Sequence, residues 1–243
     1  MKKIKIQSAW SGAERCKNCA IRHQVLFADI PKEIFNNLHL PIDEIDYEPG
    51  HNIYFQGDLI PYVYTIRSGV VKLVQRSPNG DVRIVRIMGQ GDLVGLEALD
   101  GGNLDHDAIT MDHVSVCRIP KSIITSLRRE APELHTNILN RWQKALTSAN
   151  HWITNLSTGN AKERVARLLI LLHNTSIDDS FFLPTRDDMG AMLGITTESS
   201  SKVIAELKRK GIVRLVEKKR ACIDQVKLAT IIDGIDKLTP HNP

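Results

Sequence analysis

The sequence predicts an α+β fold: an antiparallel β sandwich or barrel, then one long helix, then a winged helix-turn-helix. Three observations carry this reading. Residues 42–120 are rich in Val, Ile and Tyr, and Gly or Pro interrupts them at short, regular intervals. Residues 121–156 change to a helical hydrophobic period. Residues 183–223 hold two short helical runs about a glycine turn, followed by two strand-like runs.

Composition bounds the answer. The 243 residues suggest one or two domains at roughly 100–200 residues each, enough to bury a core without disulfides. Apolar content of 42% and charged content of 25% exclude a wholly disordered or fibrous chain. Four cysteines are too few for a secreted disulfide scaffold. The opening Met1-Lys2-Lys3-Ile4-Lys5 leads into no apolar stretch, so it does not read as a signal peptide. The longest nearly apolar run, Val165 to Leu172, is broken by Arg167, so no membrane span is expected. The expectation is a cytoplasmic protein with reduced thiols and no membrane partner.

In the first region, Glu48-Pro49-Gly50, Gln56-Gly57-Asp58, Arg67-Ser68-Gly69 and Gly89-Gln90-Gly91-Asp92 separate short runs such as Tyr62–Ile66. Asn79-Gly80, between Val70–Arg76 and Val82–Met88, is the clearest hairpin signal. Past Pro132, residues Leu134, Ile138, Trp142, Ala145, Ala149, Trp152 and Leu156 follow at steps of three and four, close to a heptad seam. A narrow stripe on so long a helix reads either as packing on the chain's own sandwich or as a seam against a second copy; the second copy is favoured. Ser157-Thr158-Gly159-Asn160 then punctuates the chain as a hinge. The expected division is a cysteine-containing segment at 1–30, a β domain at 31–120, a dimerisation helix at 121–158 and a winged helix-turn-helix at 159–243.

The stretch from Leu183 to Val203 carries most of the functional information. Thr185 can cap one helix, with Asp188 in capping-box position, and Gly194 can end it. Thr196 can cap a second helix whose first turn is polar: Thr197, Glu198, Ser199, Ser200, Ser201, Lys202. Met189, Met192, Leu193, Ile195, Val203, Ile204 and Leu207 can fill a small core between them. In such a motif the start of the second helix meets base edges in the major groove. Glu198 can accept from a cytosine amino group, and Lys202 can donate to guanine; with Ser201 they share one face at i, i+3 and i+4. Charge points the same way. The net charge of the chain is +4. Residues 202–220 contain eight cations against Glu206 and Glu217, a net +6, so the remainder is net acidic. A basic cluster beside a recognition helix is what phosphate contacts require. Candidate DNA contacts are Thr185, Arg186, Thr197, Glu198, Ser199, Ser201, Lys202, Lys208, Lys218 and Lys219.

With these residues in hand, the chain resembles the CRP/FNR superfamily of bacterial transcription regulators, from about Ile42 to Lys219. The resemblance rests on Gly91-Asp92-Leu93-Val94-Gly95, Ser115-Val116-Cys117-Arg118-Ile119-Pro120 and Thr185 through Lys210. It implies a β-roll (double-stranded β-helix or jelly-roll) sensor domain of cyclic-nucleotide-binding type, a homodimer on pseudo-palindromic DNA, and RNA polymerase as a partner. Glu198-x-x-Ser201-Lys202 is similar to the Glu-x-x-Ser-Arg pattern with which FNR-type members read a TTGAT half-site. Lysine lacks the bidentate fork of arginine, so a looser reading of guanine is expected.

The signal stays open. The place of the family's phosphate-binding arginine is taken by His106-Asp107-Ala108, so a cyclic nucleotide is not expected. Cys16, Cys19 and Cys117 stand where FNR-type members hold an iron–sulfur cluster, but Val25 stands where a further N-terminal cysteine is needed. Three readings remain: a cluster or other metal on an incomplete set, a redox-responsive thiol pair, or cysteines in a protein with another effector or none. Haem is a further reading without a ligand to name. The competing function is a ligand- or metal-binding sensor without sequence-specific DNA readout. No G-x-S-x-G, H-E-x-x-H, P-loop or G-x-G-x-x-G occurs in the sequence, so catalysis is not expected.

Overall fold

A computed structural model of the chain describes residues 5–8, 42–176 and 178–236. The chain divides into two units, residues 1–147 and 148–243. The division falls inside the long helix, whereas the sequence places its boundaries at 120/121 and 158/159.

In the first unit, the glycine-punctuated runs form two antiparallel sheets. One has the order β1 (Lys5–Ser8), β2 (Asp43–Tyr47), β9 (Val114–Pro120), β4 (Tyr62–Ser68), β7 (Leu93–Val94). The other has the order β3 (Asn52–Tyr54), β8 (Asp107–Thr110), β5 (Val71–Arg76), β6 (Val82–Met88). Alternation directs one face of each strand inward. Ile45, Tyr47, Tyr64, Ile66, Val94, Val114 and Val116 from the first sheet meet Ile53, Tyr54, Val71, Leu73, Met88 and Ala108 from the second in one buried cluster. The expected hairpin joins β5 to β6. Its loop is five residues, Ser77–Asp81, closed by the Ser77 N–H on the Asp81 carbonyl and the Gly80 N–H on the Ser77 carbonyl.

The outer face of the first sheet is also covered. Val63, Leu93 and Ile119 pack with Ile123, Ile124 and Leu127 of helix α1 (Lys121–Glu130) and with Leu134 and Ile138 of helix α2 (Pro132–Leu156). The helical stretch is thus two helices broken at Ala131–Pro132, a break set by proline, which donates no N–H and restricts the residue before it. Two polar contacts hold the early part of α2: Arg141 donates to the Gly91 carbonyl at 3.0 Å, and Lys144 pairs with Asp92 at 3.5 Å.

The second unit is built on helix α3 (Ala161–Asn174), whose N-terminus carries a full capping box between Asn160 and Glu163. Helices α4 (Arg186–Leu193) and α5 (Thr197–Arg209) follow, then strands β11 (Val213–Glu217) and β12 (Arg220–Ile223) and helix α6 (Gln225–Asp236). Two elements escaped the sequence reading. A two-residue strand β10 (Phe181–Phe182) pairs with β12 and makes the wing three-stranded, and α6 follows the wing. Two consecutive Phe residues are too short to show a period. The stretch expected as a hinge is held by α3. Arg167 donates to the carbonyls of Asn155 and Thr158, and Arg164 to those of Gly159 and Leu193.

Candidate nucleic-acid interface

Helix α4 begins at Thr185, whose hydroxyl accepts from the Asp188 N–H at 3.1 Å and donates to the Asp188 carboxylate at 2.9 Å. It ends at Gly194, in the left-handed conformation with φ 63°, its N–H on the Gly190 carbonyl. Gly190 is required for a different reason. A Cβ there would lie 2.8 Å from the Ile195 carbonyl oxygen, so the turn between α4 and α5 closes only over a bare backbone. Thr196 caps α5, accepting from the Ser199 N–H at 3.1 Å. Met189, Met192, Leu193, Val203, Ile204 and Leu207 are buried, as the hydrophobic pattern requires of a helix-turn-helix core.

The geometry sorts the ten candidate contacts. Glu198, Ser201 and Lys202 are all exposed on one face of the first turns of α5. Lys218 and Lys219 are exposed in the β11–β12 turn, and Lys208 is half-buried near the end of α5. The other four are engaged with the protein. Thr185 is the cap of α4. The Ser199 hydroxyl meets that of Thr196 at 3.1 Å. The Thr197 hydroxyl, though exposed, donates to the Asp187 carboxylate at 2.8 Å. Arg186 is half-buried and donates to the Pro184 carbonyl, and burial pulls its pKa below the usual guanidinium value.

The basic cluster is sorted in the same way. Lys210 pairs with Glu206 at 2.7 Å, and Arg220 turns toward the loop before β10, onto Ser180 and Asp178. Arg214, exposed on β11, joins Lys218 and Lys219 on the wing and was not among the named contacts. Glu206 also accepts from Lys162 of α3 at 2.8 Å. The two ammonium groups hold its carboxyl down at about 2.

The seam expected on α2 divides differently. Leu134 and Ile138 are consumed by the core of the first unit, and Leu156 is buried. Ala145, Ala149 and Trp152 are half-buried. The exposed apolar residues are Leu139 (54%), Trp142 (38%), Leu146 (64%) and Ile153 (62%). With Ala149 they step by 3, 4, 3 and 4, a heptad stripe that the sequence reading crossed only at Trp142 and Ala149. Its signal was the alternative a/d register in the same stretch.

Of the metal candidates, Cys117 lies on β9, half-buried against the cluster that contains Leu134 and Ile138. Cys16 and Cys19, like Val25, lie outside the described residues; among the described residues no group of three His, Cys, Asp or Glu is placed to hold a metal. At the place of the family's phosphate-binding arginine, His106 lies 3.9 Å from Glu97, and burial lowers its pKa against the pull of Glu97 and Asp105. Asp107 is buried, accepting from the Gln56 N–H at 2.8 Å and from Arg76 at 2.9 Å. Among the described residues no helix is long and apolar enough to cross a membrane.

Comparison with known proteins agrees with this architecture. The family profile of the cyclic nucleotide-binding domain matches residues 44–131, and that of the Crp-like helix-turn-helix domain matches residues 163–230. The chain is 29% identical over 250 residues to the anaerobic regulatory protein of Haemophilus influenzae, covering 98% of this chain and 92% of that one. It is 27% identical over 233 residues to the fumarate and nitrate reduction regulatory protein of Vibrio cholerae, covering 93% and 92%. The solved structure of FixK2 from Bradyrhizobium japonicum shares the fold with a TM-score of 0.69 at 23% identity, covering 77% of this chain and 95% of that one. A CRP/FNR-family transcriptional regulator from Thermus thermophilus gives a TM-score of 0.62 at 25% identity, covering 78% and 98%. A domain of cyclic nucleotide-binding type and a Crp-like helix-turn-helix, matched in that order, place the chain in the CRP/FNR superfamily of bacterial transcription regulators: it is a DNA-binding transcription regulator.

Proposed function

We propose that the protein works as a homodimer in the cytoplasm, reading a pseudo-palindromic TTGAT-type site in response to a redox, gas or small-molecule signal, with RNA polymerase as its partner at the promoter. The observation that carries the reading is the exposed triad Glu198, Ser201 and Lys202 on a capped helix beside a basic wing. Glu198 accepts from cytosine N4, Lys202 donates to guanine O6 and N7, and Ser201 adapts to either. Lys208, Arg214, Lys218 and Lys219 neutralise phosphates. The stripe Leu139, Trp142, Leu146, Ala149 and Ile153 supports a parallel seam with a second copy, which sets two recognition helices on successive major grooves.

The relatives named for anaerobic and for fumarate and nitrate regulation support a redox signal. An iron–sulfur cluster fits this chain poorly, because Cys16, Cys19 and Cys117 leave it a ligand short and Val25 offers none. A cyclic nucleotide fits poorly as well, since neutral His106 and paired Asp107 offer no guanidinium to a phosphate. Gel shift with a TTGAT-N4-ATCAA duplex tests the DNA reading: binding that prefers this duplex and weakens with salt is expected. Absence of any such preference, with and without oxygen, sinks it. Absorbance between 320 and 600 nm of anaerobically purified protein tests the signal, with no stable [4Fe–4S] band expected. A band lost on Cys117→Ala overturns that expectation.

A further inference from the structure

We propose that Asp187 sets the base preference of Thr197 by making its hydroxyl an acceptor only, so that the leading edge of α5 selects adenine or cytosine over guanine or thymine. The inference rests on the reading of α5 as the helix that enters the major groove. Thr197 opens that helix and is exposed, and its Oγ1 lies 2.8 Å from Asp187 Oδ1, itself exposed on α4. The direction of the bond follows from chemistry: an ionised carboxylate has no proton to give, so the single hydroxyl hydrogen of Thr197 is spent on it. Lone pairs and a methyl group remain to face outward.

The neighbouring hydroxyls are disposed differently. Thr196 and Ser199 are occupied with each other at the cap, and Thr185 donates to Asp188. Ser201, one turn beyond Thr197, has no hydrogen-bond acceptor for its hydroxyl among the described residues, so it can donate or accept. The exposed patch 197, 198, 201 and 202 is therefore graded. Thr197 and Glu198 accept, Ser201 does either, and Lys202 only donates. In the major groove, the amino groups of adenine and cytosine donate, whereas guanine and thymine present keto acceptors. An acceptor-only Thr197 favours an amino base at the position it meets. A keto base there would set two acceptors against each other, as a desolvated polar group left without its bond.

The test is selection of bound duplexes from a randomised half-site library, using the full chain as wild type, Asp187→Asn, Asp187→Ala and Thr197→Val. One position at which adenine or cytosine is favoured over guanine or thymine by about threefold to tenfold is expected for the wild type. Asp187→Asn keeps a carbonyl oxygen for the Thr197 proton and retains the preference. Asp187→Ala removes the acceptor, returns the proton to Thr197 and brings the ratio close to one. Both variants lose the same charge, so a uniform gain in phosphate affinity cancels between them. Thr197→Val removes the acceptor from the other side of the bond and also loses the preference, so a folding failure in one variant leaves the other decisive. A preference that survives Asp187→Ala, in protein that still selects bases elsewhere in the half-site, overturns the proposal. Wild-type protein that selects no base at any position overturns the DNA reading, and this inference with it.

Discussion

Glu206 of the recognition helix holds two ammonium groups: Lys162 of α3, which ties the two helices together, and Lys210 at the C-terminal end of its own helix. Because its folded pKa, about 2, lies below the ordinary 4.5, its contribution to stability is complete above about pH 4.5 and is lost as pH falls through about 2. Thermal melts across that window will fall more steeply for wild type than for Glu206→Gln, which carries no titrating group there. The carboxylate faces solvent, so the difference shrinks in high salt. Ser200 makes a contrasting case. It is fully buried within α5, and its hydroxyl has no hydrogen-bond partner among the described residues. Ser200→Ala removes an unsatisfied group and should raise stability by about 1 kcal/mol, with DNA affinity kept. Ser201→Ala, one residue on and exposed, should leave the melt unchanged and weaken specific binding. Equal behaviour of the two variants in melt and gel shift contradicts this assignment.

At the scale of elements, α2 shows how a helical period is read and misread. Its sequence supports two overlapping apolar stripes, and helical spacing alone does not say which is already covered. Leu134 and Ile138 lie in the cluster made by Val63, Leu93, Ile119 and α1, whereas Leu139, Leu146 and Ile153 face outward. Leu134→Ala therefore acts on folding and should cost about 2–5 kcal/mol of stability. Leu146→Glu sets a charge in the exposed stripe. It should leave the fold intact by circular dichroism, shift sedimentation from dimer toward monomer, and weaken binding to the palindrome far more than to a half-site. A Leu146→Glu protein that sediments as wild type removes this stripe from the interface.

For the whole molecule, the net charge of +4 is less informative than its placement. Residues 202–220 hold the excess, and the fold subtracts from it. Lys210 is tied to Glu206 and Arg220 to the loop before β10, which leaves Lys202, Lys208, Arg209, Arg214, Lys218 and Lys219 as the cations of this stretch proposed to meet DNA. Neutralising Lys218 and Lys219 should weaken binding about equally to every sequence. The slope of log K against log salt should flatten by about one unit for each phosphate that is no longer neutralised. Base preference should not move, in contrast with Asp187→Ala. A change in base preference from the wing variant, at an unchanged salt slope, would assign these lysines to base reading instead.

The sequence by itself determined what is local. Strand punctuation, the Thr185 and Thr196 caps, the Gly194 turn and the face shared by Glu198, Ser201 and Lys202 each depend on residues within a few positions of one another. Such patterns survive without knowledge of what lies across the core. What the tertiary structure decided depends on partners distant in sequence. The cover over Leu134 comes from β4 and β9, the clamp on Glu206 from α3, and the proton of Thr197 goes to Asp187 on the preceding helix. Burial and hydrogen-bond direction are properties of pairs, and only the folded chain brings those pairs together.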